Sequence, residues 1–255
     1  MALIAAQGYT IRDYMKNETD FAMACEKVKK MGYDGIQLSG HGPIDPKVMK
    51  KILDDAGLPC VVTHRGLQQM LDNPDAIIEE HQILDCPFTA IGGFFMEEAQ
   101  WNEAGWADFV EKFNGLGRKF AAAGLRLGYH NHSHEFAPAG SIARPLDYLI
   151  GHLDPSIWFE IDTYWVAHGL ADPAEYIRRV AGRVPCIHLK DGRITRERNQ
   201  YYCEVGDGNL NWPAILEACR YAGVKWYIVE RDSGELDPFV SLERSLYNLH
   251  EKYGL

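Results

Sequence analysis

The apolar positions of this chain fall into a unit that recurs along it. Each unit is an amphipathic stretch at helical spacing, a glycine, then a short β-rich run ending in polar residues. Phe21, Cys25, Val28 and Met31 share one helical face, and Gly32 is placed to close that helix. The run Gly35-Ile36-Gln37-Leu38 follows almost at once. The unit returns as Ile52 to Gly57 before Pro59 to His64, and as Phe113 to Gly124 before Leu125 to His130. It returns again as Ala181-Gly182 before Val184 to His188, and as Ala222-Gly223 before Val224 to Glu230. Asp45-Pro46, Asn73-Pro74, Asp172-Pro173 and Asp237-Pro238 each set a capping side chain ahead of a proline suited to the first helical position. With Leu3–Gln7, Phe88–Gly92 and Ile157–Asp162 added, eight strands are expected, near residues 3, 35, 60, 88, 126, 157, 185 and 226.

Strands alternating with helices imply parallel pairing through helical crossovers. Eight such units in 255 residues predict closure into a single (β/α)8 TIM barrel spanning residues 1–255. An open dinucleotide-binding sheet would want G-x-G-x-x-G after the first strand, where the chain has Gln7-Gly8-Tyr9-Thr10.

Composition narrows the classes of function. The formal net charge of −10 disfavours a nucleic-acid partner, because gripping phosphates needs a surplus of Lys and Arg. No apolar run approaches the ~20 residues of a membrane helix. The six cysteines are scattered without a CxxC pair, as expected of buried thiols in a reduced compartment. The opening MALIAAQGYT lacks a basic start and a long apolar stretch, so a secretory leader is not expected and the cytoplasm is the default location. The expected partner is a small molecule; a homo-oligomer stays open.

In such a barrel the chemistry lies at the C-terminal ends of the strands. Those ends carry Gln7, then His41 beyond strand two, His64-Arg65, and His130-Asn131-His132 with Glu135 just after. Further on come Glu160 and Asp162, then His188 and Lys190, then Glu230. Strand four is the exception, ending in Gly92-Gly93-Phe94. One isolated histidine would more often be structural, but seven ends of eight in ligand or proton-transfer residue types form a pattern. Carboxylates with neutral imidazole suit one divalent ion, Mn, Co, Mg or Zn, rather than a thiolate-loving metal. Trp158, Glu160 and Asp162 share one strand face, as do Cys186, His188 and Lys190. Asp162 is nearer the strand end, so it is the better ligand, and Glu160 is left out of the ligand set, as either a buried partner or a structural residue. Lys190 is open to two readings, substrate contact or an ion pair with Asp191. Trp106 is expected to pack against the following helix, and His81, His152 and His250 to have no catalytic part.

At these residues the chain resembles the sugar phosphate isomerase/epimerase group of xylose-isomerase-like barrels. That group also includes inosose dehydratases, tagatose 3-epimerases and endonuclease IV. The likeness is carried by Leu127 to Phe136, by Asp162-Thr163-Tyr164-Trp165 with Asp172-Pro173, and by Gly182 to Gly192. Val205-Gly206-Asp207-Gly208 with Asn211-Trp212, and Val229-Glu230-Arg231-Asp232, complete it. The resemblance implies a metal on Glu135, Asp162, His188 and Glu230. Many members hold the first glutamate inside strand five, whereas here Tyr129 to His132 occupy the strand and the glutamate follows. His130 or His132 is therefore an alternative ligand to Glu135.

The chemistry implied is proton transfer next to a carbonyl, through an enediolate, with Glu135 and Glu230 as the two proton-handling carboxylates. Gln7, His41, His64, His132 and Lys190 would bind the oxygens of a sugar or polyol. An isomerase or epimerase is the first expectation and a dehydratase or other lyase on a keto-sugar or inosose the alternative. A repair nuclease is disfavoured by the charge, and a metal-free sugar-binding barrel is the remaining rival.

Overall fold

The computed structural model describes residues 2–255. Its strands are β1 (Leu3–Gln7), β2 (Gly35–Leu38), β3 (Cys60–His64), β4 (Phe88–Ile91), β5 (Arg126–His130), β6 (Trp158–Asp162), β7 (Cys186–Leu189), β8 (Asp191–Ile194), β9 (Gln200–Cys203) and β10 (Trp226–Val229). β1 to β7 and β10 close into a parallel barrel in chain order, β10 pairing with both β7 and β1. All eight strands read from the hydrophobic pattern are the barrel strands.

The local signals act as expected. Asp45, Asn73, Asp172 and Asp237 each accept a backbone N–H in the first turn of the helix that follows, with proline at its start. Gly57 and Gly223 close their helices at φ of 61° and 79°, a left-handed conformation that glycine adopts without Cβ strain.

Two apolar layers hold the barrel. Outward-facing strand residues such as Leu127, Tyr129, Phe159 and Ile187 pack with the helices in one continuous core. A smaller interior cluster, including Ala5, Val62, Ala90, Trp158, Cys186 and Ile228, fills the lower bore. Gly128 makes room for this plug, since a Cβ there would lie 2.3 Å from the Trp158 indole. Trp106 is fully buried and packs edge-on against Phe94 and Phe109, as expected of a structural residue. With the bottom sealed by aromatic and aliphatic groups, the next inward positions along each strand open towards the C-terminal mouth.

One feature departs from the simple repeat. Between β7 and the next helix the chain forms an antiparallel hairpin, β8 with β9, in which Arg193 pairs with Tyr201. Its strands are only four residues long and the Thr195–Asn199 connection is polar, so no periodicity announces it.

Candidate active site

Strand alternation carries the inward residues upward in register. His130 pairs with Glu160 across β5 and β6, and Asp162 pairs with His188 across β6 and β7. Gln7, Gln37, His130, Glu160, Asp162, His188, Lys190 and Glu230 are all buried. Among the described residues, two sets of metal-capable side chains converge with donor atoms within 4.8 Å of one another. The deeper set is His64, His130, Glu160 and His188; the outer set is His130, Asp162, His188 and Glu230.

The two sets differ in how their groups are engaged, and each keeps a buried carboxylate oxygen without a partner, Glu160 Oε1 in the deeper and Asp162 Oδ2 in the outer. Glu160 Oε2 accepts from His64 Nε2 at 2.5 Å and from Gln37 Nε2 at 3.2 Å. Burial works against its charge, yet His188 and His64 hold the Glu160 carboxyl well below the usual range. His188 Nε2 lies 2.8 Å from Gln37 Oε1, which can only accept, so Nε2 carries the proton and Nδ1 faces the outer set. Nδ1 is 3.0 Å from Glu230 Oε2 and 3.7 Å from Asp162 Oδ2. It is not aligned to hydrogen-bond either of them, and it and Asp162 Oδ2 are buried without partners. An imidazole nitrogen among carboxylate oxygens requires a positive charge between them, either a proton or a cation. Burial opposes a charged His188, but Glu160 and Glu230 raise its pKa well above 6.5. A divalent ion in the outer set would replace that proton and satisfy both orphaned atoms, so the residues present fit one.

Lys190 closes one side. Its Nζ bonds Asp232 Oδ1 at 2.6 Å and Glu230 Oε2 at 3.1 Å, and it lies over the Trp165 and Tyr202 rings. Burial disfavours the ammonium, but Glu230, Asp162 and Asp232 raise its pKa further, so it stays protonated. Asp191 points the other way. Its carboxylate accepts the backbone N–H of Gly192, Gly206 and Gly208 and the Trp212 indole N–H. The Lys190–Asp191 ion pair therefore does not form, because neighbours on an extended chain face opposite sides.

Other expected residues fall at varied distances from this centre. Gln7 is buried beside His188, its Nε2 3.4 Å from His188 Nε2. His132 lies tilted against Trp165 and Phe95, and burial, with Lys190 and His134, lowers its pKa to about 3. His64 reaches a cavity of about 330 Å³ that is also lined by His41, Arg65 and Gln69. His41 itself bonds the Gly42 carbonyl, and burial lowers its pKa. Glu135 sits in the turn His134–Phe136, fully buried. Its oxygens accept the Tyr129 hydroxyl and the His132 N–H, each at 2.9 Å, and burial raises its pKa. Neither converging set includes it.

Glu160, outside the ligand set expected from the sequence, and Gln37, Asp232 and Tyr202, not among the site residues expected from it, all belong to this centre. The signal for Glu160 and Gln37 was their strand parity, which they share with Asp162 and with Gly35.

A (β/α)8 barrel with buried imidazoles and carboxylates gathered at the C-terminal mouth defines a class of barrel enzymes. A family model described as xylose isomerase-like TIM barrel matches residues 25–246, and the chain belongs to that family. It is similar to inosose dehydratase of Clostridium beijerinckii, 22% identical over 93% of this chain and 91% of the relative. Its fold matches that of a sugar phosphate isomerase/epimerase from Parabacteroides distasonis, with TM-score 0.82, 24% identity and coverage of 99% and 95% of the two chains. It also matches a probable 3-DHS dehydratase from Bacillus anthracis, with TM-score 0.76, 12% identity and 98% and 99% coverage.

Proposed function

We propose that this protein is a divalent-cation-dependent enzyme that removes a proton from the carbon next to a carbonyl of a polyhydroxylated ketone, a keto-sugar or inosose. The observation that carries the reading is the unpartnered His188 Nδ1 facing Asp162 and Glu230 in a closed, buried setting. Asp162, His188 and Glu230 would hold the ion, which supplies Lewis-acid polarisation of the substrate carbonyl. The protonated Lys190 donates to the oxygen that gathers negative charge as the C–H bond breaks. Glu230 keeps one oxygen towards Lys190 and offers the other to the departing proton. His64, oriented by Glu160, would line the substrate space, with Gln7, His41 and His132 around the hydroxyls.

Two outcomes share this step. Loss of the β-hydroxyl as water gives a dehydratase; return of the proton to the opposite face gives an epimerase. The second needs a second proton-handling group across the substrate, the part expected of Glu135. Because Glu135 is bound up with Tyr129, elimination is the better reading, and the inosose dehydratase relatives agree with it. The test is incubation of the cation-loaded protein with inososes and keto-sugars in deuterium oxide. Release of water with an unsaturated or diketo product is expected. Deuterium incorporated into an epimeric product without dehydration would replace the reading with epimerisation, and no turnover of either kind would end it.

A further inference from the structure

We infer that the fourth donor to the cation is His130, and that Glu135, the carboxylate expected in that place, is a brace on the outer side of strand β5. This assignment rests on the cation-dependent reading above.

Alternation along β5 decides which side chains enter the bore. Gly128 faces inward against Trp158, and His130, two residues on, faces the same way beside Glu160. Tyr129 faces outward, edge-on to Phe109 and Phe113 of the helix Glu103–Ala122, with ring centroids 5.8 and 6.2 Å apart. Glu135 takes the hydroxyl of that outward tyrosine, so its carboxylate is anchored on Tyr129's side of the wall. The intervening chain is pinned as well. Asn131 Oδ1 accepts the Asp162 N–H at 3.0 Å, Asn131 Nδ2 donates to the His132 carbonyl, and the His132 N–H donates to Glu135. To reach the cation, Glu135 would have to leave both of its hydrogen bonds and carry the turn over the rim. His130 has no such distance to travel, since it already offers a donor atom within 4.8 Å of those of Asp162, His188 and Glu230.

The exchange has chemical consequences. Two carboxylates balance the two charges of the ion, where three would leave the centre net negative. A neutral centre polarises a carbonyl more strongly and tolerates negative charge building on the substrate oxygen. Two imidazoles in place of one also move the site from the oxygen-rich sets that suit Mg and Mn towards Zn and Co.

The test is direct binding of Co²⁺ and Zn²⁺ to the purified full chain by calorimetry, for the parent, Glu135→Gln and His130→Phe. Affinity within about threefold of the parent is expected for Glu135→Gln, and a loss beyond the ~10–100-fold of an outer-shell change for His130→Phe. A second readout uses the parent alone, so it does not depend on a variant folding. Pulsed EPR of the Cu²⁺-loaded protein is expected to count two coordinated imidazoles. One imidazole, or three through recruitment of His64, overturns the assignment. So does affinity that survives His130→Phe and is lost in Glu135→Gln. A parent that binds none of these ions overturns the cation-dependent reading together with the assignment, which separates the two failures.

Discussion

His64 Nε2 donates to Glu160 Oε2 across the barrel bore at 2.5 Å, linking the end of β3 to the middle of β6. The contact fixes the tautomer of His64, and Gln37, bonded to both Glu160 and His188, extends the same restraint to His188. Buried partners of this kind orient ligands and proton carriers rather than bind substrate themselves. Glu160→Gln keeps the size of the side chain but removes the charge and one acceptor oxygen. Turnover is expected to fall ~10–100-fold, with a parallel loss of cation affinity and little change in KM. Steady-state kinetics and calorimetric titration of the ion check this; unchanged affinity and turnover would mean that Glu160 serves only the fold.

Asp191 makes a separate prediction about architecture. Its carboxylate gathers four donors from Gly192, Gly206, Gly208 and Trp212, and so ties the segment after β9 to the end of β7. There is no room for a side chain at Gly208, where a Cβ would lie 2.0 Å from Asp191 Oδ1. Asp191→Asn replaces one acceptor oxygen with a donor that meets other donors. A loss of about 2–3 kcal/mol is expected in urea unfolding, since buried polar groups are left unmatched. Cation affinity should stay near the parent's, because Asp191 faces away from the ligands.

The eight strands and the proline-led helix starts were legible because each is written in local spacing: a period of two or 3.6, a capping side chain, a terminal glycine. The inward polar ends of β6, β7 and β10 were legible for the same reason, since parity fixes which residues face the bore. What parity could not convey was depth. Glu160 and Asp162 share a face, but only the barrel's stagger shows that Glu160 meets His64 and Gln37 while Asp162 meets the outer group. Glu135 was unreadable in a different way. It lies beyond the strand, where no period applies, and the side of the wall on which its turn falls is set by Tyr129 and the helix packed against it. The β8–β9 hairpin escaped because its pairing is tertiary and its strands are short.

His81 predicts how stability follows pH. It is buried beneath β3, with Nε2 2.7 Å from Thr63 Oγ1 and Nδ1 2.7 Å from the Ile77 carbonyl, an arrangement that suits the neutral ring. Burial lowers its pKa from 6.5 to about 4. The unfolded chain therefore takes up this proton at a higher pH than the folded one. The contribution of His81 is fully present above about pH 6.5 and is lost as pH falls towards 4. The loss amounts to roughly 2 kcal/mol between pH 7 and pH 5. Urea unfolding at the two pH values should show this loss in the parent, and His81→Gln should lack that part of it. An equal pH dependence in both proteins would remove His81 as the cause.

Removal of the cation tests the site as a whole. On the proposed reading, His188 Nδ1 carries a proton between Glu230 and Asp162 in the ion-free protein, and a bound ion would displace it. Chelation followed by gel filtration should abolish turnover, and Co²⁺ or Zn²⁺ should restore it better than Mg²⁺ if two imidazoles bind the ion. Binding only to the folded state at a free concentration near 100 times Kd adds about 2.7 kcal/mol of stability. For a chain of this size that corresponds to a rise in Tm of roughly 5–10 °C. Because the ion competes with a proton on His188, the rise should shrink as pH falls. Differential scanning calorimetry of the chelated and reloaded protein at two pH values measures both effects. A Tm indifferent to every ion would leave His188, Asp162 and Glu230 as a proton-bridged structural cluster and not a metal centre.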